Sequence, residues 1–392
     1  MKGEETVVIS GVGQSEIGLG LFRSDLDLTL DACVRAIADA GLTRHDIDGV
    51  ATYPSRRGPT ERYGGFSGPA TLEVQDALRL NLHWHAGGSD GPGHLGAALN
   101  AIGAISAGLC RHVLVYRTVT EASLKKIRRR NGTAGTATPP PSVGTTRWTG
   151  GGINPIAAAA QRHFHEYGTT REMLGSLAIN SRRNAGRNPK AVLRAPITMD
   201  DYLSARWITT PFGLLDCDIL VDASTAFVIS AADHAAEVPS PVRILAIGCG
   251  VSGRTRWDQR ADMTEFSQRE AASVMWARTD LKPTDIDLLE VYDGFSYLTL
   301  AWIEALSFAG IGEGGHFLSS GDIAFEGRYP LNTHGGQLSE GRTHGFGFLH
   351  EACLQVRGQA GDHQVPGRNE IALVAVGGLG ATCMLLTGAG HR

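Results

Sequence analysis

The segment Leu42-Thr-Arg-His-Asp46-Ile47-Asp48 recurs 239 positions later as Leu281-Lys-Pro-Thr-Asp285-Ile286-Asp287. A repeat at that distance in a chain of 392 residues points to two similar units rather than one long one. Each copy follows an apolar pattern of helical period, with Leu30, Cys33, Ile37 and Ala40 in the first and Ala272, Val274 and Trp276 in the second. Short apolar runs flank both. Val7-Val-Ile-Ser-Gly opens one half as Val242-Arg-Ile-Leu-Ala opens the other, and Val113-Leu-Val-Tyr answers Ala372-Leu-Val-Ala. Such runs suit strands covered on both faces. Each half therefore reads as strand, helix, strand, glycine-rich turn, helix, strand, which is an α/β layer architecture. The expected halves are 1–240 and 241–392, meeting near Pro239 and Pro241. Residues 118–210 hold an insertion without a counterpart in the second half, with helical patterns at 156–167 and 172–184. An insertion of that length with its own helices is expected to be a lid or binding subdomain.

Charge narrows the partners. Thirty-six basic and 40 acidic residues leave a formal net charge of -4, with no whole-chain excess of positive charge for nucleic acid or a membrane surface. A small molecule is the default ligand. Six scattered cysteines without a C-x-x-C pair argue against a zinc ribbon or a disulfide framework and fit a reducing compartment. No apolar run approaches the ~20 residues that span a bilayer. The expectation is a soluble cytoplasmic protein. Gly11-Val-Gly13 lacks the third glycine of G-x-G-x-x-G, because Glu16 stands there, so a nucleotide fold is disfavoured. His163 and His165 are two apart and point away from each other on a helix, so no metal is implied.

Several motifs form an ordered set: His85-Ala-Gly-Gly-Ser-Asp-Gly-Pro-Gly-His94, Pro211-Phe-Gly-Leu-Leu-Asp216, Val221-Asp-Ala-Ser-Thr-Ala226, Val291-Tyr-Asp-Gly-Phe-Ser296 and Asn332-Thr-His-Gly-Gly336. With two α/β halves and an inserted loop domain, the chain resembles the thiolase superfamily. The likeness is to its thiolase-like lipid-transfer group, which includes bacterial steroid side-chain-cleaving aldolases. The resemblance implies a layered α-β-α-β-α core. Where a thiolase has Cys-Ala-Ser-Gly, this chain has Gly88-Ser89-Asp90-Gly91, and the late Cys-x-Gly-Gly becomes Val374-Ala-Val-Gly-Gly378. Both catalytic thiols are missing. Without a thiolate, covalent acyl transfer is disfavoured.

The resemblance implies another reaction: retro-aldol cleavage of a β-hydroxyacyl-CoA carrying a steroid or similar polycyclic group, giving a ketone and a short acyl-CoA, propionyl-CoA being the expected one. Tyr292, His344 and Asp293 are the candidate catalytic residues. Gly88, Ser89, Asp90, Gly91, His94, His334, Gly335, Gly336 and Phe346 are candidates for the substrate and oxyanion site, and Lys125, Lys126 and Arg128 for the CoA phosphates. A phenol with an ordinary pKa of ~10 serves more easily as acid than as base. Phe346 stands where the steroid aldolases lead one to expect a second tyrosine, so His344 has taken that role, or the substrate differs, or the protein is inactive. No bound cofactor is implied beyond coenzyme A as part of the substrate. The expected partners are a second copy in a homodimer and a small OB-fold protein of the DUF35 type. The rival reading is a non-catalytic acyl-CoA- or lipid-binding subunit of such a complex.

Overall fold

The computed structural model describes residues 2–54, 65–88, 91, 93–131, 153–251, 253, 260, 262–378 and 380–388. The first half runs β1 (Val7–Gln14), α1 (Asp25–Asp39), β2 (Gly49–Thr52), α2 (Thr71–Leu78), β3 (Trp84–Gly87), α3 (Gly96–Ser106) and β4 (His112–Thr120). An excursion follows, with α4 (Glu121–Arg130), α5 (Ile153–Tyr167), α6 (Arg171–Arg187), α7 (Met199–Ser204) and the pair β5 (Trp207–Thr209) and β6 (Phe212–Gly213). Strand β7 (Asp222–Ala231) returns to the sheet. The second half runs β8 (Val242–Gly250), α8 (Ser267–Trp276), β9 (Leu288–Val291), α9 (Ser296–Ala305), α10 (Gly314–Ser319), α11 (Gly336–Ser339), α12 (Phe346–Val356), β10 (Ile371–Gly377) and β11 (Ala381–Thr387). No described helix is long and apolar enough to cross a membrane.

The strand order β3-β2-β4-β7-β1-β8-β11-β10-β9 reads the same way outward from its middle. Strands β1 and β8 meet at the join through Val8–Arg243 and Ile9–Val242, flanked by antiparallel β7 and β11, then by β4 and β10, then by parallel β2 and β9. The repeated seven-residue motif does the same work in both copies. Asp48 accepts backbone N–H bonds from Arg111 and His112 at the start of β4, and Asp287 accepts them from Glu370 and Ile371 at the start of β10. Asp46 and Asp285 cap the preceding turn through the amides of Thr43 and Lys282.

Glycines on the two central strands let a helix lie close. A Cβ at Gly11 would sit 2.1 Å from the Ala36 carbonyl of α1, and one at Gly248 would sit 1.9 Å from the Ala271 carbonyl of α8. Gly11 and Gly13 thus lie within β1, where they serve helix packing rather than a phosphate turn.

Alternation along the strands separates two apolar layers. Val50, Leu114, Tyr116, Ala226 and Val228 face α1 and α2, whereas Ala51, Val113, Val115, Phe227 and Ile229 face the main core with α3. Helix α12 is buried along almost its whole length and touches β9 and β10 of its own half as well as β1 and β7 of the other. It belongs to the layer between the halves. Helix α8 covers β8 and β11, which completes a stack of helix, sheet, helix, sheet, helix. From the excursion, α6 braces the second half: Asn184 donates to the carbonyls of Leu331 and Asn332, and Asn188 to that of His334.

Candidate active site

Three rings from three separate segments meet between the halves. Tyr292 follows β9, held by its N–H to the Ala375 carbonyl at 2.8 Å, and its side chain is almost fully buried. His94 lies in the turn ahead of α3, its ring centroid 4.8 Å from that of Tyr292 and 5.5 Å from that of His344. His344 has a left-handed backbone (φ 50°), donates its N–H to Gln337 Oε1 at 2.9 Å, and sets its ring edge-on against Phe66 at 4.6 Å. Gly345 beside it has φ 91°, and a Cβ there would lie 3.1 Å from the Cβ of His94. A side chain at 345 would push the two histidine segments apart.

Two guanidinium groups stand over the cluster. Arg117, buried on β4, donates to the carbonyls of Phe66 and Thr118 and lies 4.7 Å from the centre of the Phe66 ring. Arg342 bonds Glu121 at 2.7 Å and Asp218 at 3.3 Å. Burial, reinforced by Arg117 and Arg342, lowers His94 to about 4, although part of the residue remains open to solvent. The same causes, with His94 added, hold His344 well below the ordinary histidine value. Burial and the neighbouring Asp218 raise the Tyr292 phenol above its usual value, against the pull of Arg342. At neutral pH the site thus presents a protonated phenol and two uncharged imidazoles. That is a donor beside acceptors, the arrangement general acid–base chemistry requires.

Several of the sequence candidates have structural partners of their own. Asp293 is buried next to Tyr292. Its carboxylate accepts the amides of Gln337 at 2.8 Å and Leu338 at 3.4 Å, capping α11, and burial raises it to about 7. It anchors the segment from which Gln337 holds His344. His334 is sealed 2.9 Å from Glu290 and 3.6 Å from Glu340; burial opposes its charge, but these carboxylates outweigh it and raise it to about 10. Gly335 packs on Ala185 of α6, and Gly336 on the Asp293 carboxylate. Phe346 has no exposed surface and lies on Phe227 with centroids 5.5 Å apart, so its ring packs in the core.

Gly88 follows the end of β3 with open space where a Cβ would be, eight positions before α3 begins. Ahead of α3, the Gly93 N–H bonds the Gly91 carbonyl and the Gly96 N–H the Gly93 carbonyl. Ser89 and Asp90 lie outside the described residues. Lys125, Lys126 and Arg128 are exposed on α4, with the Lys126 ammonium 5.9 Å from the centre of the Phe22 ring. The same helix begins with Glu121, which enters the site.

Arg117, Glu121, Asp218 and Arg342 had not been singled out from sequence. Arg117 carried a signal, since it places a charge directly after the apolar run Val113–Tyr116 on a buried strand, and Arg342 lies two residues before His344. Buried Cys33, Cys110, Cys353 and Cys383 have thiols pushed up by burial, and burial and Asp216 do the same to partly buried Cys217. These thiols stay protonated near neutral pH.

Residues 251–386 match the family model described as thiolase C-terminal domain-like. The chain is 32% identical over 397 residues to the steroid side-chain-cleaving aldolase of Thermomonospora curvata, with 97% of each chain covered. It is 29% identical over 374 residues to the 17-hydroxy-3-oxo-4-pregnene-20-carboxyl-CoA lyase of Mycobacterium tuberculosis, covering 91% of this chain and 92% of that one. A solved Ltp2-ChsH2(DUF35) aldolase superposes with a TM-score of 0.84 at 28% identity, over 98% of both chains. The acetyl-CoA acetyltransferase of Syntrophomonas wolfei shares the fold, with a TM-score of 0.67 at 18% identity over 97% of this chain and 98% of that one. With its nine-stranded doubled sheet, its buried central helices and this likeness over nearly its full length, the chain belongs to the thiolase superfamily, in the thiolase-like group that includes the steroid side-chain-cleaving aldolases.

Proposed function

We infer that this chain is a carbon–carbon lyase that splits the CoA thioester of a hydroxylated steroid side chain by a retro-aldol reaction. The observation that carries this reading is the meeting of a protonated phenol, Tyr292, with two uncharged imidazoles, His94 and His344. His344 takes the proton of the tertiary hydroxyl. The bond between the hydroxyl carbon and the α-carbon breaks, the carbonyl of a ketone forms, and the electron pair enters the thioester as an enolate. Tyr292 then protonates the α-carbon. For a pregnene-20-carboxyl-CoA type of substrate the acyl product is propionyl-CoA. Protons balance overall, and His94, between the other two rings, is placed to return the proton from His344 to Tyr292.

Lys125, Lys126 and Arg128 on the exposed face of α4 suit the CoA phosphates, whose charge they would neutralise near the helix that bears Glu121. The DUF35 component of the solved Ltp2-ChsH2 aldolase supports a DUF35-type partner for this chain, and the likeness over the whole core supports a homodimer in a bacterial cytoplasm. The test is incubation of the purified protein, alone and with such a partner, with a tertiary β-hydroxyacyl-CoA of a steroid. Equimolar ketone and short acyl-CoA are expected by mass spectrometry. Release of neither under both conditions overturns the reading.

A further inference from the structure

We propose that Glu121 is the positioning carboxylate of His344, the group that makes a buried imidazole able to accept the substrate's hydroxyl proton. The proposal rests on the assignment of His344 as the base. Glu121 Oε1 is held by Arg342 at 2.7 Å, while Oε2 is buried, has no hydrogen-bond partner among the described residues, and lies 3.7 Å from His344 Nε2. Neither ring nitrogen of His344 has a hydrogen-bond partner there either. The ring is already oriented by Phe66 and by the Gln337 bond to its backbone.

The two guanidinium groups facing this imidazole oppose its protonation. Arg117 reaches it from β4 and Arg342 from its own loop; His94 comes from the turn before α3, with Tyr292 beyond it and Asp218 behind Arg342. Among the described residues, Glu121 is the one carboxylate with an oxygen within ion-pair range of the ring. In a low-dielectric site a carboxylate at that range stabilises an imidazolium far more than it would in water. The present gap is longer than a hydrogen bond and closes when Nε2 carries its proton towards Oε2. Nδ1 then supplies the lone pair that takes the hydroxyl proton. Arg342, itself clamped by Asp218, keeps the carboxylate aimed. The start of the excursion after β4 therefore builds part of the site.

The test is Glu121→Gln, which keeps an oxygen for Arg342 and removes the charge. In the full chain with its partner, kcat for the tertiary β-hydroxyacyl-CoA is expected to fall about 10- to 100-fold with KM changed less than about twofold. The acidic limb of the kcat profile moves to lower pH, because the imidazolium loses its counter-charge, and Glu121→Asp restores part of the rate. Nitrogen NMR of the histidine-labelled protein, which needs no substrate, is expected to show His344 as the Nε2–H tautomer, and a mixture in Glu121→Gln. Unchanged rate, pH profile and tautomer in Glu121→Gln, with His344→Ala inactive, overturn the role of Glu121 and leave the lyase reading intact. If the parent cleaves nothing, the lyase reading falls instead, and an unchanged tautomer then overturns this proposal too.

Discussion

The rings of His94 and Tyr292, supplied by opposite halves of a duplicated chain, lie with centroids 4.8 Å apart and planes inclined at 40°. Neither half holds the site alone. The first contributes His94, Arg117 and Glu121, and the second Tyr292, Arg342 and His344, so the chemistry belongs to the join.

Tyr292→Phe removes the acid while keeping the ring that packs against His94 and Phe348. Cleavage is expected to fall about 10²- to 10⁴-fold in kcat, with affinity for the CoA ester retained. Steady-state ketone release together with calorimetric titration of a non-cleavable thioester measures the two separately. A variant that cleaves at the parental rate removes Tyr292 from the mechanism.

Acid should destabilise the fold through its buried histidines. His94 is lowered to about 4 and His350 to about 3, in each case chiefly by burial, whereas the unfolded chain protonates them near the ordinary value of ~6.5. Between those values the unfolded state binds more protons, so stability falls as pH drops below about 6.5 and this contribution levels off near 3. Urea midpoints at a series of pH values measure the slope. His350→Gln, which cannot titrate, is expected to flatten it.

Phe346→Tyr tests whether position 346 belongs to the site. Its ring is fully buried on Phe227, so a new hydroxyl would lack a partner and cost about 1–3 kcal/mol of stability without raising cleavage. Chemical denaturation gives the first quantity and ketone release the second. A gain in cleavage would put Phe346 against the substrate.

Asp48→Ala and Asp287→Ala each strip the side-chain acceptor from two backbone amides at a strand start, and each is expected to cost about 1–3 kcal/mol. The two positions lie in different halves and share no partner, so the double variant should lose close to the sum. A marked departure from additivity in urea unfolding would mean that the copies are coupled.

The repeat was legible because each copy must cap the same turn and start the same strand, and those tasks demand aspartate at fixed spacing: Asp46 with Asp48, and Asp285 with Asp287. Tyr292 and His344 were legible through motif likeness, and His94 as the end of a glycine-rich run. The partners of Asp293 and His334 were not legible. Polar residues beside a catalytic position look the same in sequence whether they meet substrate or cap a helix, as Asp293 does, or fill a buried ion pair, as His334 does.

Local sequence determined the α/β alternation, the repeated order of elements and the absence of a thiol at the positions where thiolases carry one. Those properties follow from strand periodicity, helix spacing and residue identity, which act over a few residues. Only the tertiary structure decided which charges surround the imidazoles. Glu121 and Arg342 are 221 positions apart in the chain, yet they form one ion pair, and Arg117 reaches the same space from a buried strand. Burial and Coulomb interaction depend on distance in space, and folding alone sets that distance.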